Sequence, residues 1–226
     1  GYNIAFIEPD LAEDSYDPLL LNTILEHGNT TLPVFAERGK TVFPFRQNTA
    51  PPGSQLGHVD IEVDDDGYVR RAFLKAGIDQ AQWSAFGLAL LEPEYFQQRS
   101  LIPGTRGPAF TTGIKSKWMR DREVLLPITL AKSAITRYSF IDVLEEYVDS
   151  ELLADKIVFV GVEATGLGPK FPTPHTPDRE MLSGTELQIN LYHAMKYDNI
   201  LTPILPIWGL TYALLITVLA YSALFL

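Results

Sequence analysis

The sequence has no cysteine among its 226 residues. A disulfide framework and thiolate chemistry are therefore excluded. Positive charge is also scarce, because 18 Lys and Arg face 28 Asp and Glu, which gives a net charge of −10. A nucleic-acid groove needs clustered Lys and Arg, so no nucleic-acid partner is expected. The same balance disfavours tight contact with anionic lipid headgroups.

Signatures of catalysis are missing as well. No Gly-x-Ser-x-Gly turn is present to expose a nucleophilic serine. The stretch GVEATGLG has the glycine gap of a phosphate loop between Gly161 and Gly166, but Leu167 and Gly168 stand where Lys and Ser or Thr are needed. This stretch indicates a structural loop or a ligand rim. No catalytic residue, metal or cofactor is predicted.

Charge is absent from the last twenty residues, 207–226, which read IWGLTYALLITVLAYSALFL. A helix of about 20 apolar residues spans the hydrocarbon core of a bilayer, and Trp208 suits the headgroup level. The alternative is a buried core helix, but such helices usually keep a polar face. We predict a transmembrane helix in contact with lipid over 207–226 and one water-soluble domain over 1–206. Both ends of the sequence lie inside apolar stretches, so we expect a fragment of a larger protein.

Strands and helices alternate before residue 207, which predicts an α/β domain: a layered sheet with helices packed on it and an inserted β-hairpin. Helices are predicted at 18–27, 83–91, 140–148 and 184–196, and strands at 2–8, 31–35, 41–45 and 156–162. The run KIVFVGV at 156–162 is almost wholly apolar. Such a run is typical of a strand buried on both faces. We predict that it is a central strand and that the 184–196 helix packs on its sheet.

Residues 58–74 alternate apolar and polar side chains around Asp66-Gly67, a strong hairpin turn signal. The polar face could ligate a metal, but a solvated face is the preferred interpretation. Its residues are His58, Asp60, Glu62 and Asp64. Arg70 and Arg71 are expected to pair with the aspartates of the turn.

Residues 99–123 are rich in glycine and basic side chains. This composition predicts an exposed excursion with unpaired surface charge. A phosphate or lipid headgroup site is the alternative. The basic residues are Arg99, Arg106, Lys115, Lys117, Arg120 and Arg122.

Three runs towards the end of the domain form a recognisable series: RYSFIDVL (137–144), LADKIVFVGVEATGLGPKFPTP (153–174) and SGTELQINLYHAM (183–195). With GHVDIEVDDDGYVRRAFL (57–74) and NIAFIEPDLAEDSYDPLL (3–20), this series resembles the CHASE2 family of sensor domains. The chain departs from the family at three positions. Aspartate is common where Asn3 and Pro169 stand, and Gln188 stands in place of a histidine, whereas Glu186 and Asn190 fit the pattern.

The resemblance implies an extracytoplasmic sensory domain of a bacterial receptor in the inner membrane, with residues 1–206 in the periplasm or extracellular space. Relatives lead through membrane helices to a cytoplasmic output, such as a diguanylate or adenylate cyclase or a histidine kinase. This fragment is then not an enzyme, while the full-length protein is expected to be a receptor enzyme. The expected partners are a small molecule or envelope stimulus, and a homodimer is also considered.

A ligand site is predicted near residues 164–174, because ligands of open α/β sheets bind beyond the carboxyl ends of the strands. The polar candidates are Thr165, Lys170, Thr173 and His175. The rival hypothesis is a membrane-anchored hydrolase of the cell envelope that uses His175 together with acidic residues in the loops.

Overall fold

The computed structural model describes most of the chain. It covers residues 1–4, 17–37, 40–42, 54–91, 95, 101–106, 109–110, 118–126, 128, 130, 132–164, 166–174, 181–204 and 206–223. The described helices are α1 (Asp17–His27), α2 (Phe86–Ala89), α3 (Phe140–Leu144), α4 (Gly184–Lys196) and α5 (Pro206–Ser222). The described strands are β1 (Tyr2–Asn3), β2 (Thr30–Glu37), β3 (Lys40–Val42), β4 (Ser54–His58), β5 (Arg71–Ile78), β6 (Trp83–Ala85), β7 (Ala109–Phe110), β8 (Trp118–Leu125), β9 (Val160–Gly161), β10 (Lys170–Phe171) and β11 (Leu182–Ser183).

Seven strands form one mixed sheet in the order β3-β2-β4-β6-β5-β8-β7. The β2–β4 and β4–β6 pairs are parallel, and the other neighbours are antiparallel. Two small sheets lie apart from it: β1 pairs with β9 in parallel, and β10 pairs with β11 antiparallel. The prediction of an α/β fold with a multi-strand sheet and helices is confirmed.

Helix α4 has the predicted bounds, and its start explains why. The Ser183 side chain accepts from the Glu186 amide, while the Glu186 carboxylate accepts from the Ser183 amide, which forms a capping box. The buried stripe of α4 joins one core cluster with Leu74 of β5 and Val124 of β8. This stripe consists of Leu187, Leu191 and Met195. Helix α4 therefore packs on the seven-stranded sheet.

Gly87 permits close packing of α2 on α4. A Cβ at this position would lie 2.7 Å from the carbonyl oxygen of Gln188 and 2.9 Å from the backbone nitrogen of Tyr192. Real Cβ atoms essentially never approach backbone so closely. The Gly87 amide also donates to Gln188 Oε1 at 3.1 Å. Gln188, which replaces the expected histidine, thus binds the two helices together.

The central strand predicted at 157–162 is wrong. Only Val160–Gly161 has strand geometry there, and its partner is the two-residue strand β1. Ile157 is 49% exposed and Val158 41% exposed. Phe159 contacts Phe86 and Tyr192 with ring centroids 6.2 and 5.9 Å apart. An apolar run does not reveal how many of its faces are covered, and here Phe159 makes the ring contacts with α2 and α4 while its neighbours are half exposed.

The hairpin predicted at 58–74 is only partly correct. The turn forms, with the Asp64 amide donating to the Tyr68 carbonyl at 2.9 Å and Gly67 at φ +85°. The flanking strands do not pair with each other, because β6 lies between β4 and β5 in the sheet. The turn is therefore the tip of an excursion between separated strands.

The predicted exposed excursion at 99–123 is wrong for its last part. Residues Trp118–Leu125 form β8, which pairs with β5 over most of its length. Trp118 is 2% exposed and Arg120 is 7% exposed. Arg99, Lys115 and Lys117 lie outside the described residues.

Other predicted helices and strands are present, but their observed bounds differ from the predicted ones. Helix α1 ends at His27, and Gly28 follows it with φ +65°. The helix predicted at 83–91 begins as strand β6 and is helical only over α2. Helix α3 is shorter than predicted, and the strand predicted at 41–45 is described only to Val42.

Helix α5 follows the domain as a 17-residue apolar segment without acidic or basic residues in its terminal turns. Every described side chain from 207 to 223 is exposed. Within the described part of the chain, no helix combines the length and apolar character needed to cross a membrane. The predicted span 207–226 also includes residues 224–226, which lie outside that part.

Candidate functional site

A buried arginine that pairs with two carboxylates lies at one wall of the candidate site. Strand alternation turns Trp118 and Arg120 of β8 inward. The Arg120 guanidinium donates from Nε to Asp60 Oδ2 at 2.5 Å, from Nη2 to Asp60 Oδ1 at 2.8 Å, and from Nη1 to Glu62 Oε2. The fork of the guanidinium suits such bidentate pairing. We refer to Arg120, Asp60 and Glu62 as the Arg120 cluster.

Asp60 is held as a carboxylate. Burial by itself would raise its pKa, but hydrogen bonds and charge from Arg120 outweigh burial, and the pKa of Asp60 is lowered from its ordinary value. The Trp118 indole adds a hydrogen bond from Nε1 to Oδ2 at 2.9 Å. The side chain of Asp60 keeps 19% exposure. The cluster thus presents a fixed anion at the edge of the sheet.

His58 lies beside this cluster and is 1% exposed. Burial lowers its pKa to about 4, against a weaker opposing effect of Asp60. Neither ring nitrogen has a hydrogen bond of good geometry among the described residues. The ring meets Trp118 edge-on at 6.5 Å. His58 is therefore a neutral, buried imidazole at neutral pH, and the predicted solvated face of 58–64 is wrong at this residue. The side chains of Asp60, Glu62 and Asp64 keep 19%, 28% and 17% exposure.

A cleft of about 630 Å³ opens next to the Arg120 cluster. This volume lies in the usual range for small-molecule sites, roughly 300–1,000 Å³. Its walls come from β1, the end of β2, the segment after β4, strand β8, the loop after β9 and the start of α4. The lining residues are Asn3, Ile4, Phe35, Ala36, Val59, Asp60, Ile61, Trp118, Arg120, Val162, Leu167, Gly168, Pro169, Phe171, Gly184 and Thr185.

The opposite wall depends on the start of α4. Asn3 donates from Nδ2 to Thr185 Oγ1 at 3.0 Å, which ties β1 to the helix. Gly161 makes room for this contact, since a Cβ there would lie 2.0 Å from Thr185 Oγ1. Asn3 and Pro169 both line the cleft.

A second charged junction holds three of the sequence runs together. Arg137 donates to Glu186 Oε1 at 2.8 Å and lies 3.4 Å from Glu163 Oε1. Asn190 accepts from the Leu130 amide at 3.2 Å and donates to the Glu186 carbonyl at 3.0 Å. The 5% side-chain exposure of Glu186 indicates a structural role for this junction behind the cleft.

The four predicted ligand residues differ in whether the structure describes them and in how exposed they are. Thr165 and His175 lie outside the described residues. Lys170 is exposed in β10, where it pairs with Ser183, and Thr173 is 2% exposed. Neither is among the cleft lining, although their neighbours Pro169 and Phe171 are. The role of the four residues stays a prediction, but the cleft reaches the predicted loop.

Sequence reasoning missed Trp118 and Arg120 as site residues. Their signal is the alternation Trp118, Arg120, Val124 in a stretch that was assigned to surface charge. The expected pairing of Arg70 and Arg71 is confirmed: Arg70 bonds to Asp64 at 2.8 Å and Asp66 at 2.6 Å, and Arg71 bonds to Asp64. We refer to Arg70, Asp64 and Asp66 as the Arg70 cluster.

The fold and the cleft define a mixed α/β domain with a site of ligand size beyond the ends of β2 and β4. A family model described as the CHASE2 domain matches residues 1–225. The chain belongs to the CHASE2 domain family, whose members are extracytoplasmic sensory domains of membrane receptors. The domain itself is a sensor and not a catalyst. Comparison with curated proteins and with solved structures gave no match.

Proposed function

We propose that this chain is the sensory domain of a bacterial receptor in the inner membrane, that it lies outside the cytoplasm, and that it controls a cytoplasmic output domain. The observation that carries the proposal is the family match over residues 1–225. The output is a nucleotide or diguanylate cyclase or a kinase, which makes the full-length protein a receptor enzyme. The cleft beside the Arg120 cluster is the site at which a small molecule acts.

The membrane segment in this proposal is 207–226. Its sequence is free of charge, and the described side chains of α5 are exposed on all sides, with Leu210 72% and Leu214 70% exposed. Exposed apolar surface of this extent marks contact with a partner or a membrane. The described helix is shorter than a membrane span, so the proposal rests on the apolar sequence of all twenty residues.

The test uses the absence of cysteine from this chain. Tyr147, which is 76% exposed, is replaced by cysteine in the full-length protein, and intact cells are treated with a membrane-impermeant maleimide. The protein without Tyr147→Cys is the control. In a second strain a fluorescent protein follows residue 226 of the natural gene. Because this reporter folds in the cytoplasm, it reports on which side residue 226 lies.

We expect Tyr147→Cys to be labelled in intact cells and the fusion to be fluorescent. Labelling that needs cell lysis would overturn the extracytoplasmic location. Labelling in intact cells with a dark fusion would overturn the membrane crossing at 207–226. The family match favours the sensor over the hydrolase alternative. His175, which that alternative requires, lies outside the described residues.

A further inference from the structure

The charge next to the cleft is unbalanced. Arg120 supplies one positive charge, and its Nε, Nη1 and Nη2 atoms each donate to a carboxylate of Asp60 or Glu62. His58 is neutral at neutral pH because burial lowers its pKa to about 4. Arg120, Asp60 and Glu62 together therefore carry one negative charge. The Lys75 ammonium, whose charge also acts on His58, donates to Ser84 Oγ at 2.5 Å. An anionic ligand would meet a guanidinium that already has two carboxylate partners.

Acceptor atoms remain at both polar walls of the cleft. Asp60 Oδ1 accepts one hydrogen bond among the described residues, although a carboxylate oxygen has two lone pairs. Asn3 uses Nδ2 towards Thr185, which leaves its Oδ1 as an acceptor on the opposite wall. The cleft thus offers acceptors to a ligand that brings donors.

The rest of the lining is apolar and partly aromatic. Phe35, Trp118 and Phe171 contribute rings, and Ile61, Val162 and Leu167 contribute aliphatic surface. Such a lining favours a ligand with an apolar body and few polar groups. Aromatic faces also attract cations that lie close to them.

We propose that the cleft binds a small molecule with an apolar body and a protonated amine, and that the ammonium group lies at the Asp60 carboxylate. Its role as the stimulus rests on the proposed sensory function, but binding does not. The ammonium of the ligand balances the single net negative charge of the Arg120 cluster. The apolar body lies against the aromatic and aliphatic wall.

Three probes with one indole-ethyl body separate charge from shape: tryptamine, tryptophol and indole-3-propionate. They carry an ammonium, a hydroxyl and a carboxylate at the end of the chain. Binding to the full-length receptor in detergent is measured by isothermal titration calorimetry at pH 7. We expect tryptamine to bind about tenfold more tightly than tryptophol, because a charge-assisted hydrogen bond is roughly twice as strong as a neutral one. Indole-3-propionate is expected to bind most weakly.

Two variants and one control test whether the probes bind in the cleft. Asp60→Asn removes the anion and should abolish the preference for tryptamine over tryptophol. Asp66→Asn, in the exposed Arg70 cluster, is the matched control and should leave tryptamine binding unchanged. Gly168→Trp fills the cleft from the other wall, where the nearest atom to an added Cβ is the Val162 carbonyl oxygen at 3.8 Å. It should abolish binding of all three probes without contact with the cluster, even if Asp60→Asn fails to fold.

Equal affinity for the three probes would overturn the proposal, as would loss of tryptamine binding in Asp66→Asn or full binding in Gly168→Trp. A receptor that is labelled outside the cell at Tyr147→Cys but does not bind tryptamine contradicts this inference and leaves the proposed function standing. Tryptamine binding by a protein that is labelled only after lysis supports the cleft assignment and contradicts the proposed function.

Discussion

The Arg120 and Arg70 clusters contain the same groups in two environments. Each pairs one arginine with two carboxylates from the segment between β4 and β5, and Asp64 of the Arg70 cluster also accepts from Arg71. The Arg120 side chain is 9% exposed, whereas Arg70 is 39% exposed and its partner Asp66 is 53% exposed. Water can replace a lost partner more readily in the Arg70 cluster than in the Arg120 cluster. Loss of the arginine should therefore reduce stability more in the Arg120 cluster than in the Arg70 cluster, where Asp64 also keeps Arg71 as a partner.

The largest effect is expected for Arg120→Met. The substitution leaves Asp60 and Glu62 without their cation in a site of low exposure. Removal of one partner of a buried pair costs 3–5 kcal/mol, and we expect about 3 kcal/mol, because the two carboxylates keep some contact with water. Urea unfolding of the full chain at pH 7 measures the change. A loss no larger than that of Arg70→Met would contradict the distinction between the clusters.

An intermediate effect is expected from His58 and depends on pH. Its folded pKa of about 4 lies below the ordinary value of 6.5, so the unfolded chain binds more protons between these values. The contribution of the neutral His58 to the free energy of unfolding should be complete above pH 6.5. It should fall by roughly 3 kcal/mol as the pH drops to 4. The lowered pKa of Asp60 acts at lower pH, below about 3.9, the ordinary pKa of an aspartate.

His58→Leu provides the comparison. Leucine has no group to protonate, and His58 has no well-formed hydrogen bond to lose among the described residues. We expect the free energy of unfolding at pH 7 to be unchanged. Between pH 6.5 and 4, the slope of this free energy against pH should become shallower by the equivalent of one proton. Equal slopes for the variant and the wild type, measured by urea unfolding across this range, would show that His58 is not a buried neutral group.

The smallest effect is expected for Arg70→Met. The guanidinium and Asp66 are exposed, so water and salt compensate for the loss. The urea midpoint should move much less than for Arg120→Met. Added sodium chloride should reduce the remaining difference between Arg70→Met and the wild type. A large shift that persists in 1 M salt would mean that the two environments are more alike than their exposures indicate.

Local signals were sufficient for some features of this fold. The bounds of α4 follow from Ser183 and Glu186, three residues apart, and the turn at Gly67 follows from its own φ requirement. The Arg120 cluster required information that no local pattern contains, because Arg120 lies 58 to 60 residues from its two carboxylate partners in sequence. The basic neighbours of Arg120 suggested a solvated segment, whereas its burial depends on partners from the segment after β4.

The cleft was predictable only in part for the same reason. The loop after β9 was expected to form a rim, and Leu167, Gly168 and Pro169 do line the cleft. The other walls come from segments far apart in the chain. The apolar run at 157–162 predicted a buried strand, but periodicity does not say which sheet a strand joins, and β9 joins the small sheet with β1.

The capped helix α4 also connects two distant places. Its first residues, Gly184 and Thr185, line the cleft, and the chain after its last turn is tied to the sheet by a hydrogen bond from the Leu125 amide to the Leu201 carbonyl at 2.8 Å. Thirteen residues make a rod about 20 Å long. A tilt of about 5° at the cleft end would displace the far end of such a rod by roughly 1.7 Å. A small rotation of α4 at the cleft would therefore move the segment that leads into α5.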